Sequence, residues 1–195
     1  MNLRSRTAGE AGRLRRMVAE GWVVGARRVL SPNRDSRPPG TEVSLLLLHS
    51  ISLPRGKYGG DAIERLFTNR LDTSALASFA ELAGLRVSSH FLIRRDGELI
   101  QFVPVAERAW HAGASRWRAR ERCNDFSVGV ELEGVDDGAF AAAQYASLEA
   151  LARKLQSTLP LRSIAGHSDV APGRKTDPGT GFDWARFGAA LARAR

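Results

Sequence analysis

The chain has 195 residues, 43% of them hydrophobic, which suits a single domain with a core of its own. No apolar run approaches the roughly 20 residues that a membrane-spanning helix needs, and the N-terminus lacks the apolar stretch of an export signal. The formal net charge of +8 invites a nucleic-acid interpretation. Residues 1–30, however, carry seven arginines against two glutamates, so most of the excess lies in an N-terminal arm. We therefore expect neither nucleic acid nor a membrane as partner.

The cysteine content indicates the compartment. With a single cysteine, Cys123, no intrachain disulfide can form, which fits a reducing environment and makes the cytoplasm the expected location. Cys123 could also act as a nucleophile with a histidine as base. Against that role, no oxyanion-hole motif surrounds it, and buried structural cysteines are common.

The N-terminal quarter is predicted to hold an arm and then the start of the domain. Residues 1–16 are polar, rich in arginine and aperiodic, so we interpret them as a disordered arm or as sequence upstream of a true start at Met17. The domain is expected over 17–195, with no linker in its middle. Residues 22–26 resemble a short strand. Residues 43–49 are a continuous apolar run that ends in a histidine, which predicts a buried central strand.

The rest of the chain alternates helix and strand patterns. In chain order these are helices over 61–71 and 74–84, the second with Ser74 as its cap and Gly84 as its stop, a hairpin over 86–103 about an Asp-Gly turn, a strand over 126–134, a helix over 140–157, a short strand over 162–167, and a C-terminal helix that begins at Asp183. The interleaving predicts a mixed α/β fold, with a central mixed sheet flanked by helices.

A histidine, a lysine and an aspartate share one loop. Residues 165–179 contain two prolines and three glycines, so they form neither a helix nor the interior of a strand. His167 and the earlier His49 each lie where an apolar strand gives way to a loop, a position that commonly borders a ligand site. With Asp177 they would form the two-histidine, one-carboxylate set of a catalytic zinc. The alternative is two strand-end histidines and a turn-forming aspartate, since no compact zinc signature is present.

Other residues could take part in catalysis, each with a structural alternative. Glu131 lies on the glycine-bearing face of the strand over 126–134 and could be a general base, although a solvent-facing alternation fits Glu133 at least as well. Lys175 could stabilise an oxyanion or be a surface lysine. Trp110, in the segment RAWHAG, could stack on a sugar or belong to the core or its rim.

Five segments together resemble the AmpD family of 1,6-anhydro-N-acetylmuramyl-L-alanine amidases. They are LLLLHSISLP, HFLIRRDGELIQFVP, RAWHAG, RERCNDFSVGVELEG, and AGHSDVAPGRKTDPG followed by FDW. They occur in order, and the resemblance covers about residues 17–187. It implies a single amidase domain of the fold shared with phage amidases and peptidoglycan recognition proteins. The implied reaction is hydrolysis of the amide between the lactyl group of the anhydro-sugar and L-alanine, in cytosolic cell-wall recycling.

The resemblance also implies the roles of individual residues. One zinc ion per chain would be held by His49, His167 and Asp177, with Glu131 as general base and Lys175 as the cation at the tetrahedral intermediate. Substrate contacts would come from Arg86 and Arg122, at the carboxylates of the stem peptide, and from Ala109 and Trp110. The chain departs from the family at Ser50, where an asparagine is usual; a serine hydroxyl reaches less far than an amide.

Further expectations complete the interpretation. The substrate is a small muropeptide and the protein a monomer, and neither His90 nor His111 is needed for zinc retention. A non-catalytic recognition module stays open as a second class. Such a module would keep the fold but lose the metal ligands, so the presence of His49, His167 and Asp177 argues against it. A nucleic-acid binder is the third, and would show basic residues clustered with exposed aromatics.

Overall fold

A computed structural model describes residues 21–192. The predicted arm over 1–16 and the proposed start at Met17 lie outside the described residues. The strands are β1 Arg27–Arg28, β2 Arg34–Ser36, β3 Leu45–Ile51, β4 Phe91–Ile93, β5 Leu99–Gln101, β6 Glu107–Ala109, β7 Arg116–Trp117, β8 Arg120–Glu121, β9 Ser127–Glu133 and β10 Ser163–Gly166. The helices are α1 Ala62–Phe67, α2 Ala142–Gln156, α3 His167–Val170 and α4 Trp184–Ala192, with short 3₁₀ helices at Ala77–Leu82 and Cys123–Asp125.

The central sheet is mixed, as the sequence predicts. Its six strands lie in the order β1-β5-β4-β9-β3-β10. Strands β4 and β5 form the predicted antiparallel hairpin, whereas β4, β9, β3 and β10 run parallel to one another. Because these parallel strands end on the same edge of the sheet, the residues that follow them meet there.

Alternation along β3 and β9 divides the core between the two faces of the sheet. Leu46 and Leu48 of β3, with Val128 and Val130 of β9, pack against α2 and α4. On the other face, Leu45 and Leu47 contact the segment around Cys123 and the end of α3, while α1 covers β4 and β5. The next residue of β3 on that second face is His49.

Two sequence-based predictions of secondary structure are wrong. Residues 22–26 are not a strand; the strand follows at Arg27–Arg28 and pairs with β5. The segment 74–84 is not an α-helix but a 3₁₀ helix at Ala77–Leu82, because only Phe79 of its apolar residues is buried and no apolar stripe anchors it. Ser74 is not its cap, since its hydroxyl bonds Asp72.

The described part of the chain, 21–192, contains no helix with both the length and the apolar character needed to cross a bilayer.

Candidate active site

Two histidines at strand ends and an aspartate on a loop converge on one point. His49 lies near the end of β3, and His167 begins α3 directly after β10, which pairs with β3. His49 Nδ1 lies 3.0 Å from His167 Nδ1, and each of these atoms lies 3.1 Å from Asp177 Oδ2. Tetrahedral zinc separates its nitrogen and oxygen ligands by about 3.3 Å, given bonds of about 2.0–2.1 Å. The triangle therefore has the size that a small metal ion requires.

The outer nitrogen of His167 shows why a cation fits. His167 Nε2 lies 3.2 Å from the carbonyl oxygen of Ala112, which can only accept, so Nε2 carries the proton. In a neutral His167 ring, Nδ1 then carries a lone pair that points at the Asp177 carboxylate. A lone pair and an anion at 3.1 Å repel each other unless a positive charge lies beside both.

The electrostatics of the ligand set agree with this geometry. Burial, partly offset by Asp177, lowers the pKa of His49 to about 4, so its ring is neutral at neutral pH. A neutral imidazole and an ionised carboxylate are the forms that bind a metal.

Glu131 faces the same point from the neighbouring strand. It is the register partner of His49 in the β3–β9 pair and is 8% exposed. Its Oε2 is buried and, among the described residues, has no hydrogen-bond partner. Burial first, and then the charge of Asp177, raise the pKa of Glu131 well above its usual value, while Lys175 opposes the shift. A carboxyl of this kind can both accept and return a proton.

A second loop holds the one that carries Lys175 and Asp177. Thr176, between these two residues, donates its hydroxyl hydrogen to Asp136 Oδ2 at 2.7 Å. A Cβ built on Gly179 would lie 2.0 Å from the carbonyl oxygen of Asp136, so the two loops approach as closely as glycine allows. Asp136 was not predicted from the sequence, although its place just after β9, at the strand ends that carry the site, could have indicated it.

A cavity of about 260 Å³ opens beside these groups. Six of the residues singled out from the sequence line it: His49, Ser50, Glu131, His167, Lys175 and Asp177. Apart from Ser88 and His111, the rest of the lining is apolar and comes from the end of β3, α1 and the segment over 82–88: Ile51, Leu53, Leu66, Phe67, Leu82, Leu85 and Val87. The cavity therefore offers a polar reaction point beside an apolar wall.

The other residues predicted to bind substrate do not line this cavity. Arg86 is exposed, between two lining residues. Trp110 is half-buried, with its amide nitrogen 3.1 Å from Ser88 Oγ. Arg122 lines a neighbouring groove, and its Nε lies 3.3 Å from Asp125 Oδ2. Ala109 lies in β6 with its side chain turned into the core, where it is fully buried.

Comparisons with known proteins agree with this fold and site. The family model for N-acetylmuramoyl-L-alanine amidase matches residues 39–180. The 1,6-anhydro-N-acetylmuramyl-L-alanine amidase AmpD of Escherichia coli (strain K12) is 55% identical over 88% of this chain and 94% of its own length. A crystal structure of a selenomethionine AmpD derivative superposes with a TM-score of 0.85, at 52% identity, over 88% of this chain and 97% of that one.

A third relative was solved with a substrate bound. The Escherichia coli amidase AmiD, in complex with anhydro-N-acetylmuramic acid-L-Ala-D-γ-Glu-L-Lys, is 27% identical, with a TM-score of 0.57 over 79% of this chain and 60% of that one. Taken together, these matches show that the chain belongs to the N-acetylmuramoyl-L-alanine amidase family and is an enzyme of that class. Within the family, the predicted resemblance to AmpD is confirmed over most of the chain.

Proposed function

We propose that this enzyme hydrolyses the amide between the lactyl group of 1,6-anhydro-N-acetylmuramic acid and L-alanine, in cytosolic recycling of the cell wall, with one zinc ion per chain. The observation that carries the proposal is the convergence of His49 Nδ1, His167 Nδ1 and Asp177 Oδ2 beside the buried carboxyl of Glu131. The anhydro-sugar is inferred from the names of the relatives, AmpD above all.

In the proposed reaction, two side chains move the proton and stabilise charge. Held by His49, His167 and Asp177, zinc would lower the pKa of the attacking water and polarise the amide carbonyl of the substrate. Glu131 takes the proton of the attacking water on a carboxyl oxygen and returns it to the nitrogen of the leaving L-alanine. Lys175, on the loop of Asp177, places a positive charge where the carbonyl oxygen becomes negative.

The walls of the cavity suggest how the substrate is held. Ser50 lines the cavity beside His49, so its hydroxyl can bond one polar group of the stem peptide. Arg86 and Arg122 supply guanidinium groups for the carboxylates of the stem, and Trp110 a ring for the sugar. Ala109, whose side chain is in the core, would contact substrate only through its main chain.

The test combines metal analysis with substrate comparison. Purified protein should contain about one zinc per chain, and a chelator should remove activity that zinc restores. The value of kcat/KM should be higher on anhydro-muropeptides than on muropeptides with a reducing end. A fully active metal-free enzyme would exclude the zinc mechanism. Equal efficiency on both substrates, or faster release of peptide from intact peptidoglycan, would make the chain a general wall amidase.

A further inference from the structure

His111 lies directly behind one of the proposed metal ligands. Its Nδ1 is 2.9 Å from His49 Nε2, on the side of the His49 ring that faces away from Asp177. Its Nε2 is 3.2 Å from Ser127 Oγ, and that hydroxyl bonds the carbonyl oxygen of Cys123 at 2.6 Å. The three contacts form a chain that leads from the metal point into the core.

If His49 binds a metal through Nδ1, the donor and the acceptor of each of these three hydrogen bonds are fixed. The proton of the neutral His49 ring must then be on Nε2, which donates to His111 Nδ1. The His111 proton is in turn on Nε2 and donates to Ser127. The serine hydroxyl donates to the Cys123 carbonyl, which can only accept, so the direction of every bond follows from that last acceptor.

The residue after His111 does the same for the second histidine ligand. The carbonyl oxygen of Ala112 accepts from His167 Nε2 at 3.2 Å. The side-chain oxygen of Asn124 accepts from the backbone amides of both His111 and Ala112, at 3.1 and 2.8 Å. The dipeptide His111-Ala112, held by Asn124, therefore accepts a hydrogen bond from the Nε2 atom of each histidine ligand.

The strand behind His111 is shaped to admit its ring. A Cβ built on Gly129, in the middle of β9, would lie 2.5–2.7 Å from three atoms of the His111 imidazole. Real Cβ atoms do not approach that closely, so only glycine leaves room for the ring where it meets His49. This gives the glycine on the Glu131 face of β9 a steric role.

We propose that His111 is a positioning residue for the metal site, which with the Ala112 carbonyl holds both ligand rings in the Nε2–H tautomer and turns their Nδ1 lone pairs toward Asp177. Hydrogen-bond acceptors behind metal-bound histidines commonly contribute about 10–100-fold to metal affinity. The inference rests on the proposed zinc site, and it replaces the sequence-based expectation that His111 is dispensable for zinc retention.

A set of three substitutions separates the bond to His49 from simple occupancy. In His111→Asn the amide oxygen stands near the position of Nδ1, so the acceptor for His49 is retained. In His111→Gln the amide reaches the position of Nε2 and can bond only Ser127, and His111→Leu removes both contacts. Zinc affinity, measured by competition with a chelating dye, should fall about 10–100-fold for Leu and Gln but only a few-fold for Asn.

Two further measurements keep the test independent of turnover and of folding. Nitrogen-15 spectra of the zinc-loaded wild type should show His49 protonated at Nε2, and Gly129→Ala, which displaces the ring without removing it, should also weaken zinc binding. His90→Leu is the control, because His90 is a buried histidine of the same region that bonds the amide of Gly129 and not His49. It should lower the melting temperature with a much smaller change in zinc affinity.

The outcomes distinguish this inference from the proposed function. If the wild type binds no zinc, the proposed function itself fails. If the wild type binds zinc and His111→Leu binds it within two-fold as tightly, only the positioning role is wrong. Equal losses of affinity in His111→Leu and His90→Leu, or in the Asn and Gln variants, would show general destabilisation and would also overturn it.

Discussion

Glu131 and Lys175 are expected to affect the rate of the reaction more than the binding of zinc. Glu131 has a buried oxygen without a partner among residues 21–192, and Lys175 is an exposed side chain at the cavity. Neither contributes an atom to the ligand triangle. We expect Glu131→Gln and Lys175→Met to lower kcat by about 10²–10⁴-fold, while the zinc content stays near one per chain.

A matched control for these variants is Cys123→Ser. Cys123 is buried, and burial raises the pKa of its thiol, which makes it a poor nucleophile. This variant should keep its activity. A Glu131→Gln enzyme with near-normal kcat would show that another group is the base. A dead Cys123→Ser enzyme that retains its zinc would restore the thiol mechanism.

The arginines are expected to act on substrate binding. A guanidinium binds a carboxylate through two hydrogen bonds, in the ground state as well as in the transition state. Arg86→Ala and Arg122→Ala should therefore raise KM more than they lower kcat, and lysine at either position should rescue only part of the loss. Because Arg122 is 69% exposed and already contacts Asp125, its effect should be the smaller one. A fall in kcat at constant KM would contradict the assignment.

The departure from the family pattern at Ser50 can be tested by restoring the asparagine. It lines the cavity next to His49, and its hydroxyl offers a single short contact. Ser50→Asn should lower KM for a muropeptide if the longer amide reaches the stem peptide. Steady-state kinetics on one anhydro-muropeptide with a tripeptide stem measure this. An unchanged or higher KM would mean that the cavity of this chain is built around the serine.

For single residues, the sequence indicated which residue types could form the site, but not the hydrogen bonds by which one side chain positions another. His49, His167 and Asp177 could be singled out because each lies at a strand end or on a rigid loop. His111 could not, since its contact with His49 depends on an approach between β3 and a loop 62 residues further along the chain. The space left by Gly129 is likewise visible only in three dimensions.

Among the secondary-structure elements, long periodic patterns were predicted well and short ones were not. The helix α2 and the strands β3 and β9 have enough apolar positions to fix their type. The segment 74–84 is rich in alanine, whose helix propensity is high but which buries little, so tertiary packing selected a shorter 3₁₀ turn. Propensity without an apolar stripe does not determine a helix.

Glu133 shows how alternation along a strand can mislead. The sequence pattern suggested a solvent-facing position, yet the residue is 1% exposed. Its carboxylate accepts from Arg94 Nη1 at 3.0 Å and from the amides of Gly59 and Arg95, at 2.7 and 3.2 Å. Loops cover this end of β9, and no pattern within one strand can reveal a cover that comes from elsewhere.

The same contacts give a prediction for stability. Glu133→Ala would remove one of the two carboxylates that Arg94 contacts, the other being Glu64 at 2.8 Å, and should lower the free energy of unfolding by about 1–3 kcal/mol. Urea denaturation of zinc-loaded protein measures this. The double variant Arg94→Leu, Glu133→Ala should lose less stability than the sum of the losses in Arg94→Leu and Glu133→Ala. Strict additivity, or a loss below about 1 kcal/mol in Glu133→Ala, would mean that the ion pair contributes little to stability.

Over the whole molecule, the topology explains why the site is where it is. Strands β9, β3 and β10 are parallel neighbours, so the ends that carry Glu131, His49 and His167 share one edge of the sheet. The interleaved pattern predicted such a mixed sheet but not the order of its strands, which depends on pairings between distant segments. The order puts the two histidine-bearing strands side by side and Glu131 next to them.

The last prediction concerns the basic N-terminal segment. Residues 1–16 hold five arginines and one glutamate, so their removal takes four units from the formal charge of +8. The described core begins at Val23, and the family match begins at residue 39, so the deletion removes none of the described core contacts. A chain starting at Met17 should therefore keep its melting temperature and its kcat/KM on anhydro-muropeptides.

Any affinity of the full chain for DNA should fall when residues 1–16 are removed, and with it the steep salt dependence that phosphate contacts produce. The comparison needs both chains, measured for thermal unfolding, turnover and DNA binding at two salt concentrations. A large loss of stability or turnover would show that the segment packs on the domain, and DNA binding that survives the deletion would place a basic surface on the domain itself.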